Sequence, residues 1–145
     1  MESKMNKNRR LLNVGLILLV LIVAYVYQLA FTVHVGFSVQ NGTMQITTPS
    51  DEVYTIYNEQ ILSIELMEGL DYGEPLDSQT TGGVQYGTWS NSLWKSYFLC
   101  VSQKIDTCIA ITTSDEVVVF NYESEDATRS LYIAINQVLA EPTEQ

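Results

Sequence analysis

The sequence predicts a mainly β domain: a small antiparallel barrel of about seven strands, closed by a C-terminal amphipathic α-helix and preceded by one transmembrane helix. Three observations carry this. An uncharged apolar run lies near the start, apolar residues alternate with period two through most of the chain, and near the end they return at helical spacing.

The first element is Leu11–Phe31, 21 residues without a charged side chain. As a helix it would span roughly 31 Å, close to the hydrocarbon thickness of a bilayer. Lys4, Lys7, Arg9 and Arg10 precede it, and basic residues before a span hold that end in the cytoplasm. Residues 1–10 are then a basic cytoplasmic tail, 11–31 the transmembrane helix in contact with the lipid bilayer, and 32–140 an extracytoplasmic domain. Residues 141–145 form a disordered C-terminus. A cleaved secretory signal has a similar start, but Gln28, Leu29 and Ala30 make a poor cleavage site.

Beyond the apolar run, Phe31–Gln40 places Phe31, Val33, Val35, Phe37 and Val39 in alternation, and Asn41-Gly42 is a type I′ hairpin signal. Thr43–Thr48 forms the return strand, and Val53–Tyr57 and Ile61–Met67 alternate again. Gly69–Thr80, rich in Gly, Pro and acids, reads as a loop. Gly82–Trp89, Tyr97–Ser102, Cys108–Thr113 and Glu116–Asn121 complete the strands. In Ser124–Leu139 the residues Ala127, Leu131, Ile135 and Val138 share a helical face, Ser124 suits the N-cap, and Glu125 and Asp126 suit the positive helix end.

Several scattered patterns resemble the bacterial pleckstrin-homology-like domains. They are Tyr57-x-x-x-Ile61-x-x-Ile64-x-Leu66, Gly83-x-x-x-Gly87-x-Trp89, Ile109-x-Ile111-Thr112-Thr113, Val119-Phe120-Asn121, and Ala127 to Tyr132 in the last helix. The resemblance implies a seven-stranded bent barrel capped by the final helix, often attached to a transmembrane segment. It carries no ligand or catalytic residues with it.

Charge narrows the partners. After Phe31 the chain has three basic and sixteen acidic residues, a formal charge of −13. Such a surface repels nucleic acid and anionic lipid headgroups. Phosphoinositide binding is disfavoured further because Gln40-Asn41-Gly42-Thr43, where related domains carry basic residues, has none.

Catalysis finds little footing. His34 is the single histidine, and Glu65, Glu68, Asp71, Glu74 and Asp77 lack a cation-binding or acid–base spacing. No cofactor and no metal are implied. Cys100 and Cys108 face each other if the segments around them form a hairpin centred near Lys104, which would allow a disulfide. Two free, partly buried thiols are the alternative. Tyr72, Tyr86, Trp89 and Trp94 are candidate contact aromatics, since such side chains dominate binding hot spots, and barrel packing is their other reading. The function these features suggest is a noncatalytic binding or scaffolding module engaging a membrane or envelope protein. The alternative is an extracytoplasmic enzyme with an unrecognised polar site.

Overall fold

A computed structural model describes residues 2–30 and 33–140, with the side chains of the first helix described from Asn13 to Tyr27. The chain divides into two units, residues 1–32 and 33–145. The expected disordered terminus, 141–145, lies outside the described residues, as do the side chains of the basic tail and of residues 11, 12 and 28–32.

The first unit is a helix, α1 (Glu2–Ala30). Among the described residues no helix is long and apolar enough to cross a membrane. The transmembrane expectation for 11–31 is corrected accordingly. The single-pass membrane topology, with a cytoplasmic N-terminus and 32–140 extracytoplasmic, rested on that anchor and is corrected with it.

The second unit has nine described strands and one helix, so the chain is mixed α/β. The strands are β1 (Gly36–Gln40), β2 (Thr43–Thr47), β3 (Val53–Tyr57), β4 (Ile61–Glu68), β5 (Glu74–Thr81), β6 (Val84–Ser90), β7 (Tyr97–Ser102), β8 (Thr107–Thr113) and β9 (Val117–Phe120). A 3-10 turn, Asn58–Gln60, joins β3 to β4, and α2 (Glu125–Ala140) follows β9. One sheet has the order β1-β2-β3 and the other β4-β8-β9-β7-β6-β5. Both are open, so the closed pleckstrin-homology-like barrel of about seven strands is corrected to two open sheets.

Two local readings explain the difference. The segment read as an acidic loop contains β5, an edge strand. Edges tolerate acids and proline because one side of the backbone needs no partner, and Pro75 sits at a register shift opposite β6. Across from that shift Gly87 has φ of 125°, and a side chain there would run into the backbone at Asp77 and Ser78. The second difference concerns β7 and β8. They form no hairpin, because β9 lies between them, parallel to β7 and antiparallel to β8.

The hairpin at Asn41-Gly42 is as its sequence signals. Both residues have positive φ, 47° and 77°, and Gln40 faces Thr43 across the turn. The main core fills the space between the inner faces of the two sheets and α2. Met44, Ile46 and Ile56 from the small sheet meet Tyr86, Cys100, Ile109, Ile111, Val118 and Phe120 from the large one, with Ile135 from α2. Phe37 stacks on Phe120 with ring centroids 5.4 Å apart, and Tyr54 on Phe98 at 4.2 Å. A second cluster holds Trp89, Tyr97, Leu99, Val101, Cys108, Ala110 and Val119 on the reverse of the large sheet.

Ser124 caps α2, its hydroxyl accepting from the Ala127 N–H at 3.1 Å. The packed face is Thr128, Leu131, Tyr132, Ile135 and Leu139. Val138, expected on that face, is 46% exposed. Thr128 is polar yet fully buried. Its hydroxyl donates to the Ser124 carbonyl at 2.7 Å and accepts from the Tyr122 N–H at 2.9 Å, so the burial leaves no orphan group.

Candidate functional site

A cleft of about 240 Å³ lies between β3 and the turn joining β8 to β9. It begins with the pairing of β2 and β3. Antiparallel strands alternate between residue pairs that exchange hydrogen bonds and pairs that do not. The Asn58 N–H donates to the Gly42 carbonyl and the Thr48 N–H to the Glu52 carbonyl. In the same register Met44 pairs with Ile56 and Ile46 with Tyr54. The intervening residues Val53, Thr55 and Tyr57 therefore direct their N–H and C=O groups outward, along an edge no strand covers.

The opposite wall is the 113–116 turn. Thr113 organises it: its hydroxyl accepts from the N–H groups of Asp115 and Glu116 at 3.2 and 3.0 Å and donates to the Glu116 carbonyl at 2.9 Å. The turn is tied to the 3-10 segment, with the Ser114 N–H donating to the Gln60 carbonyl at 3.0 Å and Gln60 Nε2 to Asp115 Oδ2 at 3.2 Å. The Tyr54 hydroxyl donates to Glu116 Oε1 across the cleft. Burial pushes the Glu116 carboxyl pKa upward, because removing water penalises the charged form. Val118 supplies an apolar floor, and among the described residues no Lys or Arg lines the cleft.

This arrangement suits a ligand that offers backbone hydrogen bonds to β3 and a positive or protonated group to Asp115 and Glu116. Among the described residues that line it, the hydroxyls are those of Tyr54, Thr55, Tyr57 and Thr113 and the carboxylates those of Asp115 and Glu116.

The aromatics singled out in the sequence do not assemble one surface. Tyr86 is 4% exposed and Trp89 7%, on opposite faces of the large sheet. The Tyr86 hydroxyl donates to Gln79 Oε1 at 3.1 Å. Tyr72 and Trp94 are half-buried and cover the second cluster. Trp94 packs against Tyr97 at 5.1 Å, and the Tyr97 hydroxyl donates to the Tyr72 carbonyl at 2.7 Å. Asn91 stitches the same region, accepting from the Leu93 and Trp94 N–H groups and donating to the Asp71 carbonyl. These side chains hold two loops onto the sheet.

Cys100 and Cys108 are both free and fully buried. Cys100 points into the main core and Cys108 into the second cluster. With β9 between their strands and the thiols on opposite faces, the disulfide geometry is absent. Burial raises their pKa values, to about 12 for Cys100 and about 11 for Cys108. Thiolates are the reactive form, so a thiol reagent is expected to leave the native chain unlabelled and to label both cysteines after unfolding. Rapid labelling of native protein at neutral pH would contradict this packing. His34 is exposed, and among the described residues no group of three or more His, Cys, Asp or Glu is placed to hold a metal.

The cleft residues had no signature in the sequence. Tyr54 and Glu116 are 62 positions apart, and neither stands in a motif. The class defined so far is a two-sheet α/β domain with a free strand edge bordering an acidic cleft. No family model, curated protein or solved structure matches the chain.

Proposed function

We propose that this chain is a noncatalytic binding module that takes an extended, basic segment of a partner protein along the free edge of β3. One observation carries the reading: outward backbone groups of β3 border a cleft whose charged side chains are the carboxylates of Asp115 and Glu116. Strand addition draws affinity from main-chain hydrogen bonds and selectivity from pockets for alternate side chains. A Lys or Arg of the bound segment would reach the carboxylates, while Tyr57, 51% exposed, offers a face beside them. The same acids disfavour phosphate-bearing partners such as nucleic acid and phosphoinositides.

Titration with a short peptide of alternating Lys and Val, followed by amide NMR, tests this. Shifts are expected at Thr55, Tyr57 and Glu116, with Glu116→Gln weakening binding roughly tenfold, as for loss of a charged contact. Because burial raises the Glu116 pKa, affinity is expected to climb as pH rises through that value, where the carboxylate forms, and Glu116→Gln should flatten the climb. An alternating Glu and Val peptide that binds equally well, or shifts confined to other strands, would overturn the reading.

A further inference from the structure

The two sheets leave four strand edges, at β1, β3, β4 and β5. Natural edges avoid chance pairing through charges, proline or bulges. By that measure three of the four are guarded. Edge β4 carries Glu65 and Glu68, both exposed. Edge β5 carries Glu74 and Asp77, with Pro75 at the register shift. Edge β3 is flanked by Glu52 and Glu59 and faces Glu116. Edge β1 has none of these devices. From Val33 to Ser50, 18 residues, there is no Asp, Glu, Lys or Arg, so both β1 and its neighbour β2 are uncharged.

The chain after Phe31 carries −13 formal charges. Two copies approaching through any other edge would set carboxylates against carboxylates, whereas through β1 they would not. The strand is also self-complementary. The register at the Asn41-Gly42 hairpin makes Gln40 with Thr43, Ser38 with Gln45, and Gly36 with Thr47 the bonded pairs. Phe37 and Val39 therefore direct their N–H and C=O groups away from β2. We propose that β1 is a self-association edge: a second copy of this chain pairs with it antiparallel about a twofold axis at Ser38. Phe37 of each copy then faces Val39 of the other, and each such pair exchanges two hydrogen bonds. The three-stranded sheet becomes a continuous six-stranded one. On its outer face the strands next to the seam carry Ser38, Gln40, Thr43 and Gln45, polar and uncharged, with the exposed Val53, Thr55 and Tyr57 of β3 two strands away.

Sedimentation velocity of the full chain over a concentration series tests this, with crosslinking as a second measurement. The expected result is a reversible dimer whose dissociation constant rises at least about tenfold in Ser38→Glu, where two acids meet at the axis. Ser38→Cys should give an intermolecular disulfide on mild oxidation, because the two positions coincide at the axis. Gln45→Cys, on the interior strand β2, should not. Native Cys100 and Cys108 are buried and leave the assay clear. Glu116→Gln, which tests the peptide edge at β3, should leave the dimer unchanged. A chain that stays monomeric at millimolar concentration overturns the proposal. So does a dimer indifferent to Ser38→Glu in which Gln45→Cys crosslinks as readily as Ser38→Cys.

Discussion

Replacing Phe120 with alanine is expected to lower the stability of the domain by about 3–5 kcal/mol, the range for emptying a buried aromatic site. Phe120 is fully buried and joins every layer of the main core. Within the sheet it sits between Cys100 of β7 and Ile109 of β8. Its ring lies parallel to that of Phe37, at an interplanar angle of 3°, so it also links the two sheets. A domain of this size has total stability on the order of 5–15 kcal/mol, and the variant should therefore unfold at much lower urea concentration. Phe120→Leu keeps most of the volume and should cost far less. A loss below about 1 kcal/mol in Phe120→Ala would mean that the site collapses freely and the two sheets do not close on this ring.

Asn121→Leu is expected to cost about 3 kcal/mol or more, by a different route. The asparagine has no solvent exposure, and its amide serves three backbone groups. Oδ1 accepts from the Ser102 N–H at 2.8 Å, while Nδ2 donates to the carbonyls of Ser102 at 3.1 Å and Ile105 at 3.2 Å. Leucine has similar bulk but no polar atoms, so the Ser102 N–H and the Ile105 C=O lose this partner in the interior, at about 1–3 kcal/mol for each group left unsatisfied, while the Ser102 C=O keeps the Ile105 N–H at 3.2 Å. Asn121→Asp restores only the first bond and turns a carboxylate toward two carbonyls. Its folded-state pKa should therefore lie above the unfolded one, and its stability should fall as pH rises through that value. Urea denaturation of both variants at acid and neutral pH checks this. Two variants equally stable at both would contradict the role given to the amide.

Much of the fold was legible along the chain, because hairpin turns and alternation are local. The Asn41-Gly42 hairpin, β3, β4, β6 to β9 and the capped final helix lie close to where the sequence places them. Three things were not legible. Strand β5 was hidden because its pattern of Glu74, Pro75, Asp77 and polar residues is that of an exposed edge, which needs no apolar face. The order of strands was hidden because Tyr97–Ser102 and Cys108–Thr113 look like neighbours, and nothing near them announces that Val117–Phe120 enters between. The hairpin that would bring Cys100 opposite Cys108 rested on that same reading, and the free-thiol alternative is the one the structure holds. The Tyr54–Glu116 cleft was hidden for the same kind of reason, since it is made by folding β3 onto a distant turn. The aromatics were visible with two readings open, contact or packing: composition marks Trp89 and Tyr86 as large and amphipathic, and the sheet places both inside.

The position of β9 has a consequence for how the chain is born. A ribosome releases β7 and β8 before the strand that must separate them, and in that interval the two have complementary edges and only a short connection. Completion of the large sheet therefore waits on the arrival of residues 117–121, with Asn121 then fastening the 102–105 bend. The nascent domain must hold open a gap between its two most apolar ribbons until its own centre has been synthesised.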